Sequence, residues 1–167
     1  MLRLTRAFLL ASPLLVAGCS TPSPGASCAA YVVPVATDLT KPTVSFKSDV
    51  MPIFTQSCAF TSCHGMPGGT NQGIFLGQKP PVVNDPSMIR MGLVGKKSGE
   101  LASMDFVAPG DPAQSYVMHK IDGDNCVFDK MCTSGSCQAT MPQAGDLLPV
   151  ESRDTVRRWI AQGALDN

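Results

Sequence analysis

The chain has 167 residues, with thirteen Lys+Arg against thirteen Asp+Glu and a formal net charge of zero at pH 7. That balance argues against a nucleic-acid partner, which demands clustered basic side chains to neutralise phosphates. Charged residues make up only 16% and aromatics 6%, alongside 15 Gly and 14 Pro, so a loop-rich fold is expected, with a thin apolar core that a bound group would help to fill.

Met1 to Gly18 reads as an export signal. Arg3 and Arg6 give a positive start, and Ala7 to Ala17 an apolar run broken by Ser12 and Pro13. The run is shorter than the ~20 residues that a bilayer span needs. Leu15-Val16-Ala17-Gly18-Cys19 resembles the lipobox of bacterial lipoproteins. The resemblance implies cleavage before Cys19, acylation of its sulfur and new amine, and anchoring in a lipid bilayer. Several acyl chains hold far more firmly than one, since each buried CH2 contributes ~0.8 kcal/mol. Ser20, not an acidic residue, follows the cysteine, which in such lipoproteins implies sorting to the outer membrane of the bacterial cell envelope. An ordinary secretory signal with a chance cysteine is the alternative. Cleavage leaves 149 of the 167 residues, one domain by size, with eleven basic and thirteen acidic side chains and a net charge of −2. No later apolar run is long enough for a second membrane segment.

Residues 19–44 read as a lipidated tether, extended by Pro22, Pro24, Pro34 and Pro42 and carrying Cys28. The globular part is expected over 45–167. Ser48 or Asp49 caps a first helix over Asp49–Ser57, with Pro52 in its first turn and Val50, Ile53 and Phe54 on one face. Gly65 to Pro109 is expected to be mostly irregular, with a short extended piece at Ile74–Leu76 and a short helix at Pro86–Leu93. Asp111-Pro112 gives a helix start, followed by Tyr116, Val117, Lys120 and Ile121 on one face. The clearest helix runs from Val150 to Gln162, with Val156, Trp159 and Ile160 as its buried stripe and Gly163 ending it. A mainly α fold follows.

One group of residues stands out: Cys58-Ala59-Phe60-Thr61-Ser62-Cys63-His64-Gly65. A c-type haem attachment is written C-x-x-C-H, whereas four residues separate the cysteines here. Attachment requires two thiols to reach one edge of the porphyrin and a histidine directly after the second, so that its imidazole turns to the iron. The Cys63-His64 adjacency satisfies the stricter demand, and two extra residues can bulge outward. A Cys58–Cys63 disulfide, or a zinc or copper site with His64, are the competing readings of the same residues.

Other segments carry a wider resemblance. Asp49-Val50-Met51-Pro52-Ile53-Phe54 precedes the cysteines. Val107-Ala108-Pro109-Gly110-Asp111-Pro112 with Ser115-Tyr116 follows in the middle, and Met141-Pro142 and Val156 to Ala164 close the chain. In this order they resemble a monohaem cytochrome c domain, closest to those of planctomycete and myxobacterial envelope proteins. The resemblance spans Phe46 to Ala164. It implies a cytochrome c-like fold of three or more helices around one covalent haem c, with Cys58 and Cys63 as attachment points. His64 and Met141 become the axial iron ligands. Trp159 and the terminal-helix stripe are expected to pack near the haem. The implied role is electron transfer between redox partner proteins.

Alternatives remain at the sixth iron position: Met104, Met131, His119, or an open site as in a peroxidase. The remaining cysteines, Cys28, Cys126, Cys132 and Cys137, are even in number and suit two disulfides in an exported chain. Cys28 is expected to tie the tether to a cysteine-rich insert at 122–140, which is extra relative to the family. That insert is expected to brace the Met141 loop. Gln138 replaces the histidine that a second haem would need after Cys137, and a four-cysteine zinc site is the lesser reading. Asp122, Asp124 and Asp129 lack the Gly and terminal Glu of a calcium loop, and Gly95-Lys96-Lys97 is not a phosphate-binding loop. Rivals for the whole chain are a haem-free, disulfide-stabilised binding module of the same fold, an open-site haem enzyme, and a copper or zinc carrier.

Overall fold

The computed structural model describes residues 28–69, 71–143 and 145–167. The export signal, the lipobox and Cys19 lie outside them. Four α-helices carry the fold: α1 (Met51–Ser57), α2 (Pro86–Leu93), α3 (Tyr116–Asp122) and α4 (Val150–Ala161). A π-helical turn covers Phe46–Val50, and 3-10 turns cover Pro112–Gln114 and Asn125–Met131. No strand forms among the described residues, only three isolated bridges, so the chain is mainly α. Ile74–Leu76 pairs with no neighbouring strand.

The first helical stretch begins earlier than expected. Ser45 caps it: its hydroxyl accepts from Ser48 N, and Asp49 accepts back from Ser45 N at 2.8 Å. Pro52 has no N–H to give the previous turn, and the backbone before it widens into the π-helical turn, with Val50 N donating to Ser45 O. α2 starts as its sequence dictates, with Asp85 accepting from Met88 N and Pro86 in the first turn. Asp111 caps only a 3-10 turn. Ser115 is extended, its hydroxyl bonded to Ala108 and Asp111, and α3 begins one residue later.

The terminal regions pack together. The Phe46 ring lies 4.9 Å from Trp159 and 6.4 Å from Phe54, with all three buried. Trp159 donates its indole N–H to Leu165 O. α4 also turns two arginines inward. Arg153 and Arg157 both reach Asp122, at 2.9 and 2.5 Å, and Arg157 also pairs with Asp154. A buried carboxylate is tolerated because two guanidiniums compensate it.

From Cys28 onward the segment expected as a tether lies on the domain. Cys28 is disulfide-bonded to Cys126. The Tyr31 ring sits 5.0 Å from the Arg153 guanidinium and 5.1 Å from that of Arg157, and its N–H donates to Asp124. Further along, Arg158 donates to Asp38 O, and the Gln162 amide to Leu39, Thr40 and Pro42 carbonyls.

Candidate functional site

α1 delivers Cys58 at its C-terminus, where the Cys58 N–H closes the helix on Phe54 O at 2.8 Å. The chain then makes a tight turn. Cys63 N and Gly65 N both bond Phe60 O, and His64 N returns to Cys58 O at 3.1 Å. Phe60 to Cys63 are all exposed, and Ser62 also lines the adjacent cavity. Gly65 has to be glycine here: a Cβ would come within 2.5 Å of Ala59 O. His64 Nδ1 meets Ile74 O at 3.0 Å, and Leu76 N bonds His64 O, so the 74–76 segment fixes the ring from both sides of its residue. A carbonyl partner makes Nδ1 the donor and leaves Nε2 with a free lone pair. Asn71 donates to Cys63 O and ties down the exposed side of the turn.

These residues open onto one cavity of about 680 Å3. Its wall is Phe54 from α1, Leu76, Phe106, and Val117 and Ile121 from α3, and Cys58, Cys63, His64 and Met141 line it too. That volume lies within the ~300–1,000 Å3 of small-molecule and cofactor sites, and the mix of apolar wall and few polar groups is their usual character. Cys58 and Cys63 are both free thiols. Met104, Met131 and His119 do not line the cavity. Trp159, Val156 and Ile160 do not line it either. α1 and α3 supply its wall, while α4 packs on α3 and on the Phe46–Val50 turn.

The two thiols differ. Cys58 is buried, and desolvation, then the neighbouring Cys63, push its pKa up to about 12. Cys63 is exposed. While both thiols are free, an alkylating reagent at about pH 8 will label Cys63 and leave Cys58 unmodified until the protein unfolds, as read by peptide mass mapping. Equal labelling in the native state would contradict this geometry.

One charged cluster on the wall was not legible in the sequence. Glu100 accepts from Tyr116 OH at 2.6 Å and from Lys120 Nζ at 2.8 Å, and all three line the cavity. Burial, then the Glu100 carboxylate, raise the Tyr116 pKa. The only available signal was Lys120 on the apolar face of α3, where a buried lysine requires a partner.

His119 stands apart from the cavity. Nδ1 meets Asp124 at 2.8 Å and Nε2 meets Ala113 O at 3.1 Å. Both partners are acceptors, so both nitrogens donate only when the ring is charged. Burial opposes that charge, but the Asp124 and Ala113 bonds and the Asp124 and Asp122 charges outweigh it and raise the pKa from 6.5. A raised folded pKa contributes stability that is present below the unfolded value and lost as pH rises through the folded one. Denaturant midpoints will therefore fall as pH climbs above the usual histidine range, and His119→Gln will flatten that slope. An equal slope in both proteins would refute the assignment.

Two disulfides form, Cys28–Cys126 and Cys132–Cys137, which leaves no four-cysteine zinc site. No group of three or more His, Cys, Asp or Glu is gathered for a metal among the described residues. No protein-family profile, curated protein or solved structure matches the chain.

Proposed function

We propose that the chain is a cytochrome c-like electron carrier with one covalent haem in this cavity. A single observation carries the reading: Met141, remote in sequence, lines the same cavity as His64 and two free cysteines, with His64 Nε2 unused. The residues present fit the group. Cys58 and Cys63 would hold it by two thioether bonds, each thiol adding across one vinyl double bond with nothing released. His64 Nε2 and the Met141 thioether would ligate the iron, and a thioether donor favours a higher reduction potential than a second histidine. When bound, the haem supplies reversible one-electron exchange. The chain's own part is to hold and shield: Phe54, Leu76, Phe106, Val117 and Ile121 exclude water, and Ile74 O orients His64. Free thiols at 58 and 63 weigh against the haem-free disulfide module. Acylated Cys19 would place this carrier at a bilayer of the bacterial envelope, beside redox partner proteins.

The test is expression of the full chain in a host with c-type haem maturation. Haem stain that survives denaturing electrophoresis and a low-spin reduced spectrum are expected. Absence of covalent haem would overturn the reading, and a high-spin spectrum would turn it towards an open-site enzyme.

A further inference from the structure

The insert between α3 and Met141 converges on one peptide group. Cys137 O accepts from Lys120 Nζ at 2.8 Å and from Asn125 Nδ2 at 2.9 Å, with Tyr116 OH at 3.4 Å. Asn125 Nδ2 also donates to Gln138 O at 2.9 Å, and Cys137 N donates to Asp129 at 2.7 Å. The disulfide to Cys132 closes the same short loop. Asn125 is 1% exposed, and its Oδ1 has no partner among the described residues. A buried amide that leaves its acceptor unsatisfied is retained for its donors.

What those donors hold is strained. Gln138 has φ of 55°, the left-handed region that side chains other than glycine rarely adopt. It lines the cavity, and three residues later Met141 does too. Met141 N donates to Lys120 O at 2.8 Å. Lys120 therefore grips this arm twice, by its side chain at Cys137 and by its carbonyl at Met141.

We propose that Asn125, with the Cys132–Cys137 clasp, is a positioning residue that holds Gln138 in its left-handed turn and so presents the Met141 sulfur to the cavity. This rests on the haem reading above, with Met141 as sixth iron ligand. Without the clamp the arm relaxes, Met141 withdraws, and an added ligand competes more easily for the iron.

The experiment uses full-length haem-loaded protein: wild type, Met141→Ala, Asn125→Ala, Cys132→Ser/Cys137→Ser, and Asn125→Ala with Gln138→Gly. Three quantities are read: imidazole affinity, midpoint potential, and hydrogen exchange of the Met141 amide. Asn125→Ala is expected to keep its covalent haem, bind imidazole roughly tenfold more tightly, lower its potential and lose protection at Met141. Adding Gln138→Gly should restore much of this, because glycine adopts the turn without strain. The clasp variant moves the same way, which covers an Asn125→Ala chain that does not fold. Unchanged affinity, potential and exchange in either folded variant would overturn the proposal. A wild type without haem, or a Met141→Ala chain identical to wild type, overturns the underlying reading and this proposal with it.

Discussion

On the haem reading proposed above, replacing both Cys58 and Cys63 with serine will abolish covalent attachment, so that no stain survives denaturing electrophoresis. Serine hydroxyls form no thioether, and no other free cysteine exists among the described residues. The single variants separate the two positions. Cys58 is buried and fixed as the C-cap of α1, whereas Cys63 sits in an exposed turn held by Asn71 and Phe60 O. On the same reading Cys58→Ser removes the buried attachment point and will cost more attached haem than Cys63→Ser. Retention of stain in the double variant would end the thioether reading, and an inverted order of the singles would show that burial of the thiol does not set attachment.

Loss of the Cys28–Cys126 disulfide is the second large effect. The bond joins residues 98 apart. Closing a loop of that size removes chain entropy worth about 4–5 kcal/mol from the unfolded state, set against total stabilities of roughly 5–15 kcal/mol. Cys28→Ser/Cys126→Ser will lower the urea midpoint accordingly, and it will also loosen Tyr31 from Arg153, Arg157 and Asp124. The clasp variant Cys132→Ser/Cys137→Ser opens a separation of only 5, so its cost is nearer ~2 kcal/mol. If the two double variants were equally destabilised, the long-range bond would not bear the expected share.

Much of this was legible because it is local. The short helix expected at Pro86–Leu93 forms α2 at those bounds, and the structure adds the adjacent Asp85 as its cap. The Cys58–His64 run is contiguous, so its residues reach one place whatever the fold. Other features depend on partners far along the chain. Arg153 and Arg157 lie outside the expected Val156, Trp159 and Ile160 stripe of α4, yet both are buried, paired with Asp122. Trp159 lies against Phe46 in a tilted ring pair and does not line the cavity, and no periodicity says which of two apolar surfaces a stripe will meet. The Glu100–Lys120 pair joins residues 20 apart that only the tertiary fold brings together. The same is true of His119, which carried no sign of its pairing with Asp124.

The strap of chain from Cys28 to Val44 changes the mechanics of any attachment at Cys19. If lipid holds Cys19, the length of chain between that anchor and the domain is not the whole stretch to residue 44 but the nine residues up to Cys28, because the disulfide pins the strap at Cys126. Nine residues span at most about 30–32 Å when fully extended. The domain would then hang from one fixed point on its insert. A partner anchored in the same leaflet would meet a domain whose insert stays within that distance of the bilayer.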